Sequence, residues 1–166
     1  KSHKPYEFGV KASIATTLNR SKGGQFAIHA KTLPGKPYDG HTLETVLPDI
    51  EALTGAGIKR VLADAGYKGH NAPLAHKFHV FTTGQKRGVA DKIKRQMKRR
   101  AAVEPVIGHI KNEHRMNRCW LAHSHGDATN AILAAAGYNF SLLLKWIRAL
   151  WLIFCWALFS SVQAKA

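Results

Sequence analysis

Carboxylates are scarce in this sequence: ten Asp and Glu stand against twenty-five Lys and Arg, a formal net charge of +15 over 166 residues. A surface so poor in acid attracts polyanions before any specific contact forms, which puts nucleic acid first among partners. An acidic membrane also fits, as does a solvated basic face with no partner. Cysteine is nearly absent, with only Cys119 and Cys155, so a disulfide framework is excluded as the basis of the fold and a reducing, cytosolic setting fits better. No apolar signal region opens the chain. No phosphate-cradling G-x-x-x-x-G-K-[ST] loop occurs, which argues against chemistry driven by ATP. Long apolar runs are also few. The one candidate, ALWLIFCWALF at 149–159, has eleven residues where a bilayer-spanning helix needs about 20, and Arg148 and Lys145 border it upstream. A buried or partner-facing helix is the reading this supports.

What is present describes a mixed α/β chain, 45% hydrophobic and long enough for one domain with a real core. Residues 6–16 and 24–33 are β-branched and aromatic runs separated by the turn-rich NRSKGG, and they predict a hairpin. Leu43, Val46, Leu47, Ile50 and Leu53 recur at helical spacing up to a stop at Gly55. IKRVLADAG is then a short strand ending on Asp64, followed by the glycine-punctuated GYKGH. A carboxylate at the C-terminal end of a strand, beside a loop, is a common seat of chemistry in open α/β sheets. A short helix over 71–77, a strand at HVFTTG, a helical pattern from Lys92 to about Met116 interrupted at Pro105, and a last helix from Asp127 to about Val162 complete the pattern. There is no internal repeat. The sequence opens on Lys1 and runs directly into strand-like residues, which predicts a fragment of a longer chain.

The densest chemistry lies at 86–100, KRGVADKIKRQMKRR, where eight basic side chains accompany one acid, Asp91. Such density repels itself unless an anion lies alongside, and a phosphate backbone is the natural one. Lys94, Arg95, Lys98 and Arg99 are the candidate phosphate contacts; a solvated basic face is the plainer alternative. On an unbroken helix Arg100, Glu104 and Lys111 fall within about 40° of one another. Pro105 disfavours helical geometry at Glu104 and fits best in a helix's first turn, so the helix can restart there. A Glu flanked by cations is most often a salt-bridged surface residue. Cys119, His123 and His125 are ligand types without a standard zinc spacing. His109 and His114 flank Lys111, and a structural, hydrogen-bonded role is the default for each.

The spacing Arg100, three residues, Glu104, six residues, Lys111 resembles the R-(3)-E-(6)-K part of the Y-(2)-R-(3)-E-(6)-K pattern of insertion-sequence transposases of the DDE type. The ordered words KPYEFGVKASIATT, GGQFAIHAKTLPGKPYDGHTLETVLPDIEALTG, GYKGH, GQKRG, EPVIGHIKNEHRMNR and AILAAAGYNFSLLLKW resemble the insertion-sequence-five-like group over nearly all of residues 4–148. The resemblance implies a ribonuclease-H-like mixed sheet with flanking helices over 1–116, and a C-terminal helical extension over 117–166. It implies metal-dependent cleavage and transfer of DNA strands, with two Mg²⁺ or Mn²⁺ ions held by two Asp and one Glu and with no small-molecule cofactor. Asp64 stands where the second Asp does and Glu104 where the Glu does, as catalytic and metal-binding residues; Arg100 and Lys111 would contact DNA. Duplex DNA is the implied partner, a homodimer the implied assembly, and the bacterial cytoplasm, on the nucleoid, the implied location.

Two departures stand out. Met97 replaces the pattern's Tyr, and the first Asp, on a strand upstream of the hairpin in the family, has no counterpart. Asp39 lies in a turn after both hairpin strands. The resemblance therefore predicts a sheet lacking its first, central strand and a chain inactive by itself. A non-catalytic DNA-binding remnant and a membrane-associated basic protein using residues 149–159 are the competing readings.

Overall fold

The structure is a computed structural model that describes residues 9–163 apart from Arg20 and Lys86, with side chains as far as Ser160. Residues 6–8 of the expected first strand lie outside it. Strands β1 (Lys11–Thr16) and β2 (Ala27–Leu33) pair antiparallel, Lys11 opposite Leu33 and Ile14 opposite Ala30, with an irregularity at Ala15/Thr16. The connecting loop closes on reciprocal backbone bonds of 3.1 Å between Ser21 and Gly24. Gly24 needs its glycine twice over: its φ is 138°, and a Cβ at this position would lie only 3.1 Å from the Leu142 side chain.

Helix α1 (Leu43–Thr54) buries Leu43, Val46, Leu47 and Ile50 of the face its spacing predicts, leaves Leu53 of that face exposed in the last turn, and stops at Gly55 in the left-handed conformation, whose N–H donates to the Glu51 carbonyl. Strand β3 (Val61–Ala63) pairs in parallel with β4 (Val80–Thr82). The helix expected at 71–77 is absent. Pro73 fixes a turn in its place, and a 3₁₀ turn at Lys77–His79 leads into β4. The basic run forms α2 (Asp91–Arg100), which buries none of its residues, and α3 (Val103–Asn112) follows after a break at Ala101–Ala102. The break precedes Pro105, which sits in the first turn of α3, where its missing N–H costs no helical bond. Helix α4 (His123–Gln163) starts four residues earlier than the sequence pattern suggests and runs unbroken for 41 residues.

Among the described residues the strands do not join into one sheet, and the ribonuclease-H-like order expected of a sheet lacking its central strand is not shown. The four strands make two separate two-stranded sheets, β1–β2 and β3–β4, and each has its own core. Under the hairpin lie Ala27, Val106, Ile110, Ala134, Ala135 and Tyr138, contributed by β2, α3 and α4. Under β3–β4 lie Leu43, Leu47, Ala72 and Val80. Fully burying a side chain such as Ile110 or Leu47 stabilises the fold by roughly 1.5–3 kcal/mol. Asn139 of α4 completes the edge of β2: its Oδ1 accepts from Ala27 N at 2.9 Å and its Nδ2 donates to Ala27 O at 2.7 Å. An amide that supplies one donor and one acceptor thus stands in for a neighbouring strand.

Beyond Trp146, which lies over Gly23 of the hairpin loop, α4 leaves the body. Leu150, Trp151, Leu152, Ile153, Phe154, Trp156, Leu158 and Phe159 are all exposed. Because the helix is continuous, the eleven apolar residues do not stand alone. The stretch His123–Ser160 is long and apolar enough to cross a membrane, by length and composition only. An apolar surface this large marks a contact with another protein or with a membrane.

Candidate functional site: a carboxylate pair beside a basic helix

Asp64 follows the last residue of β3 with extended backbone, φ −74° and ψ 169°, and its Oδ1 accepts from Ala65 N at 2.7 Å, turning the chain into GYKGH. Strand β3 is held to α2 by Arg60, whose guanidinium donates to Gln96 Oε1. Arg100 lies one turn beyond Gln96 on the same face of α2. It is only 20% exposed, and its Nη2 lies 3.8 Å from Asp64 Oδ1 and 3.2 Å from Glu104 Oε1. One guanidinium thus bridges a carboxylate at a strand's end and another in the first turn of a helix, which requires the two acids to face a common space. The carboxylates themselves are open to water, at 60% and 66% exposure. A Glu in a helix's first turn also favours the helix dipole, so Glu104 has a structural reason to be there as well.

Lys111 is exposed at the far end of α3, two turns from Glu104. Among the other candidate cations, Lys94 pairs with Asp91 at 3.0 Å and Arg99 Nη1 donates to Asn19 Oδ1 at 2.7 Å, tying α2 to the hairpin loop. Arg95 and Lys98 are exposed and form no ion pair among the described residues. Lys94, Lys98 and Arg100, with Met97, line a cleft of about 380 Å³ between α2 and β4. Of the basic run, Arg100 reaches the carboxylate pair, while Lys94 and Arg99 are directed to Asp91 and Asn19.

Asp39 begins the 3₁₀ turn Asp39–Thr42 that leads into α1, and takes Lys11 Nζ on Oδ1 at 2.8 Å. Its Oδ2 lies beside Gly66, two residues past Asp64, where a Cβ would come within 2.9 Å of it. Between them Tyr67 is held protonated: burial first, then the Asp39 carboxylate and, more weakly, that of Asp64, push its phenol up from the ordinary value. Neither the approach of Asp39 to the Asp64 loop nor the Arg60–Gln96 bond has a signal in residue spacing, since both join segments far apart in the chain.

Of the two histidines beside Lys111, His114 turns inward and His109 stays exposed. His109 bonds Glu113, which holds that carboxyl below its usual range, and its ring stacks on Tyr138 at 6.2 Å; His114 meets the same ring edge-on at 6.1 Å. Cys119 donates weakly to the Leu121 carbonyl, and among the described residues no three His, Cys, Asp or Glu side chains gather as a metal ligand set. Two hard carboxylates converging on one cationic group suit a divalent ion in kind, but supply only part of its shell.

Residues 1–140 match the family model of the transposase DDE domain, and the chain belongs to that family. No curated protein and no solved structure is similar enough to be matched to it. The family acts in transposition, so its substrate is DNA, and the mixed α/β architecture with its small sheets is compatible with such a domain.

Proposed function

We propose that the chain carries the catalytic region of an insertion-sequence transposase of the insertion-sequence-five-like group, cleaving and joining DNA strands, with Asp64 and Glu104 as two of its catalytic carboxylates. The observation that supports this most is Arg100 Nη2 within reach of both acids. In this reading Asp64 and Glu104 hold Mg²⁺ or Mn²⁺, two ions in the complete enzyme. When bound, such ions activate the attacking oxygen and stabilise the leaving one in an in-line displacement. Arg100 then contacts phosphate through its bidentate fork, and Lys111 as a point charge. Arg100 also neutralises the two carboxylates when no metal is there.

The third carboxylate comes from a strand lying between β1 and β3. Two separate sheets with separate cores, each with an edge that no described strand covers, are what a sheet without its middle strand would leave. Residues 1–116 form the catalytic part. Residues 117–166 form the helical extension, whose first half packs on the hairpin through Ala134, Ala135 and Tyr138. The exposed apolar end of α4 fits a homodimer assembled on DNA in the bacterial cytoplasm, at the nucleoid.

The test is metal-dependent nicking of a plasmid carrying the element's ends. The 166-residue chain should be inactive, and a chain continued upstream by a strand bearing an Asp should be active and lose activity with Asp64→Asn or Glu104→Gln. Nicking by the 166-residue chain that disappears with Asp64→Asn would show that these residues already complete the site.

A further inference from the structure

Strand β4 has a second cleft on the flank away from α2. About 520 Å³ in volume, it lies between the turn after Asp64 and the segment that leads into β4. Phe81, Thr82 and Gln85 line both clefts, so the two adjoin at β4. Lys68, His70 and Lys77 line it, and among the described residues no Asp or Glu does. Two phenylalanines complete it. Phe81 is half-buried at its wall, while Phe78 is 84% exposed at its rim, where no packing among the described residues accounts for it.

An aromatic face held out to solvent beside two lysines has two needs: apolar cover for the ring and an anion for the ammonium groups. Duplex DNA meets only the second, because its bases are already stacked on one another. An unpaired nucleotide meets both, its base covering the ring while its phosphate faces the lysines. The volume lies within the range of pockets that enclose small organic ligands, to which a single nucleotide belongs in size.

We propose that this cleft binds an unpaired nucleotide of a DNA strand, its base stacked on Phe78 and its phosphate held by Lys68 and Lys77. The proposal rests on the reading of the chain as a DNA-acting protein and adds a single-strand subsite beside Asp64. The strand would pass from the cationic cleft along α2, across the end of β4, to Phe78.

The experiment measures fluorescence anisotropy of the 166-residue chain on a blunt duplex and on the same duplex with a short single-stranded overhang. The wild type should prefer the overhang. Phe78→Ala should weaken overhang binding by about five- to a hundredfold while leaving blunt-duplex affinity within about twofold, and Phe78→Trp should restore it. Lys77→Gln should lower the salt slope on the overhang by about 0.7. Because the Phe78 ring stands in solvent, its removal should leave the melting temperature unchanged, which checks folding. Blunt-duplex binding with no overhang preference, or with no effect of Phe78→Ala, would overturn the subsite alone. Absence of binding to either DNA would overturn the DNA reading beneath it. Loss of self-association in Phe78→Ala at unchanged overhang affinity would assign the cleft to a second copy of the chain and overturn the proposal.

Discussion

Neutralising the carboxylate pair by Asp64→Asn with Glu104→Gln should strengthen DNA binding in the absence of metal. Both acids share the Arg100 guanidinium, at 3.8 Å and 3.2 Å, so any phosphate that approaches Arg100 meets two negative charges at close range. Unit charges about 4 Å apart interact by about 1 kcal/mol in water and about 4 kcal/mol at an effective dielectric of 20. With 60% and 66% of the two side chains in solvent, the lower figure governs. Removing both charges should therefore strengthen binding by about 1–2 kcal/mol, roughly five- to thirtyfold. Mg²⁺ at matched ionic strength should produce the same gain in the wild type and none in the double variant, because the ion neutralises the same two groups. Fluorescence anisotropy on a duplex in EDTA and in Mg²⁺ measures both. Equal affinity of wild type and variant in EDTA, with equal responses to Mg²⁺, would refute the placement of the phosphate track beside the pair.

Two further outcomes follow from the geometry. Replacing Lys94, Arg95, Lys98 and Arg99 by Gln should flatten the dependence of log affinity on log salt by about 0.9 for each phosphate no longer neutralised, and an unchanged slope would make α2 a solubilising face only. Burial, ahead of the opposing pull of Asp49, holds His29 below the ordinary histidine value of 6.5, so the unfolded chain binds this proton first on acidification; stability should be full above about pH 6.5 and fall as the pH drops toward the depressed folded value. Denaturant midpoints from pH 8 to 5 should show this, and His29→Leu should remove the His29 component of the slope.

The residue pattern alone determined which segments are helix or strand wherever burial is one-sided and local. The α1 face of Leu43, Val46, Leu47 and Ile50 follows from 3.6-residue periodicity, and its end from the left-handed conformation that Gly55 adopts without strain. Asp64 at a strand end was legible because a short apolar run stops there, and the family was legible because its words are many and ordered. Boundaries were less so. Three-residue strands such as β3 and β4 are defined by a partner's backbone, and the helix expected at 71–77 gave way to a turn at Pro73, with Ala72 in the same core as Val80. Tertiary structure alone decided that Arg100 bridges Asp64 to Glu104, since the break at Ala101–Ala102 removes the helical register that would have aligned them, and the Arg60–Gln96 bond sets where α2 lies. It likewise decided that Phe78 stands in solvent beside Lys68 and Lys77, and that the strands form two sheets. Local propensity and periodicity act within a few residues, whereas a bridging ion pair, a cleft or a missing strand neighbour is fixed by which distant segments the cores bring together.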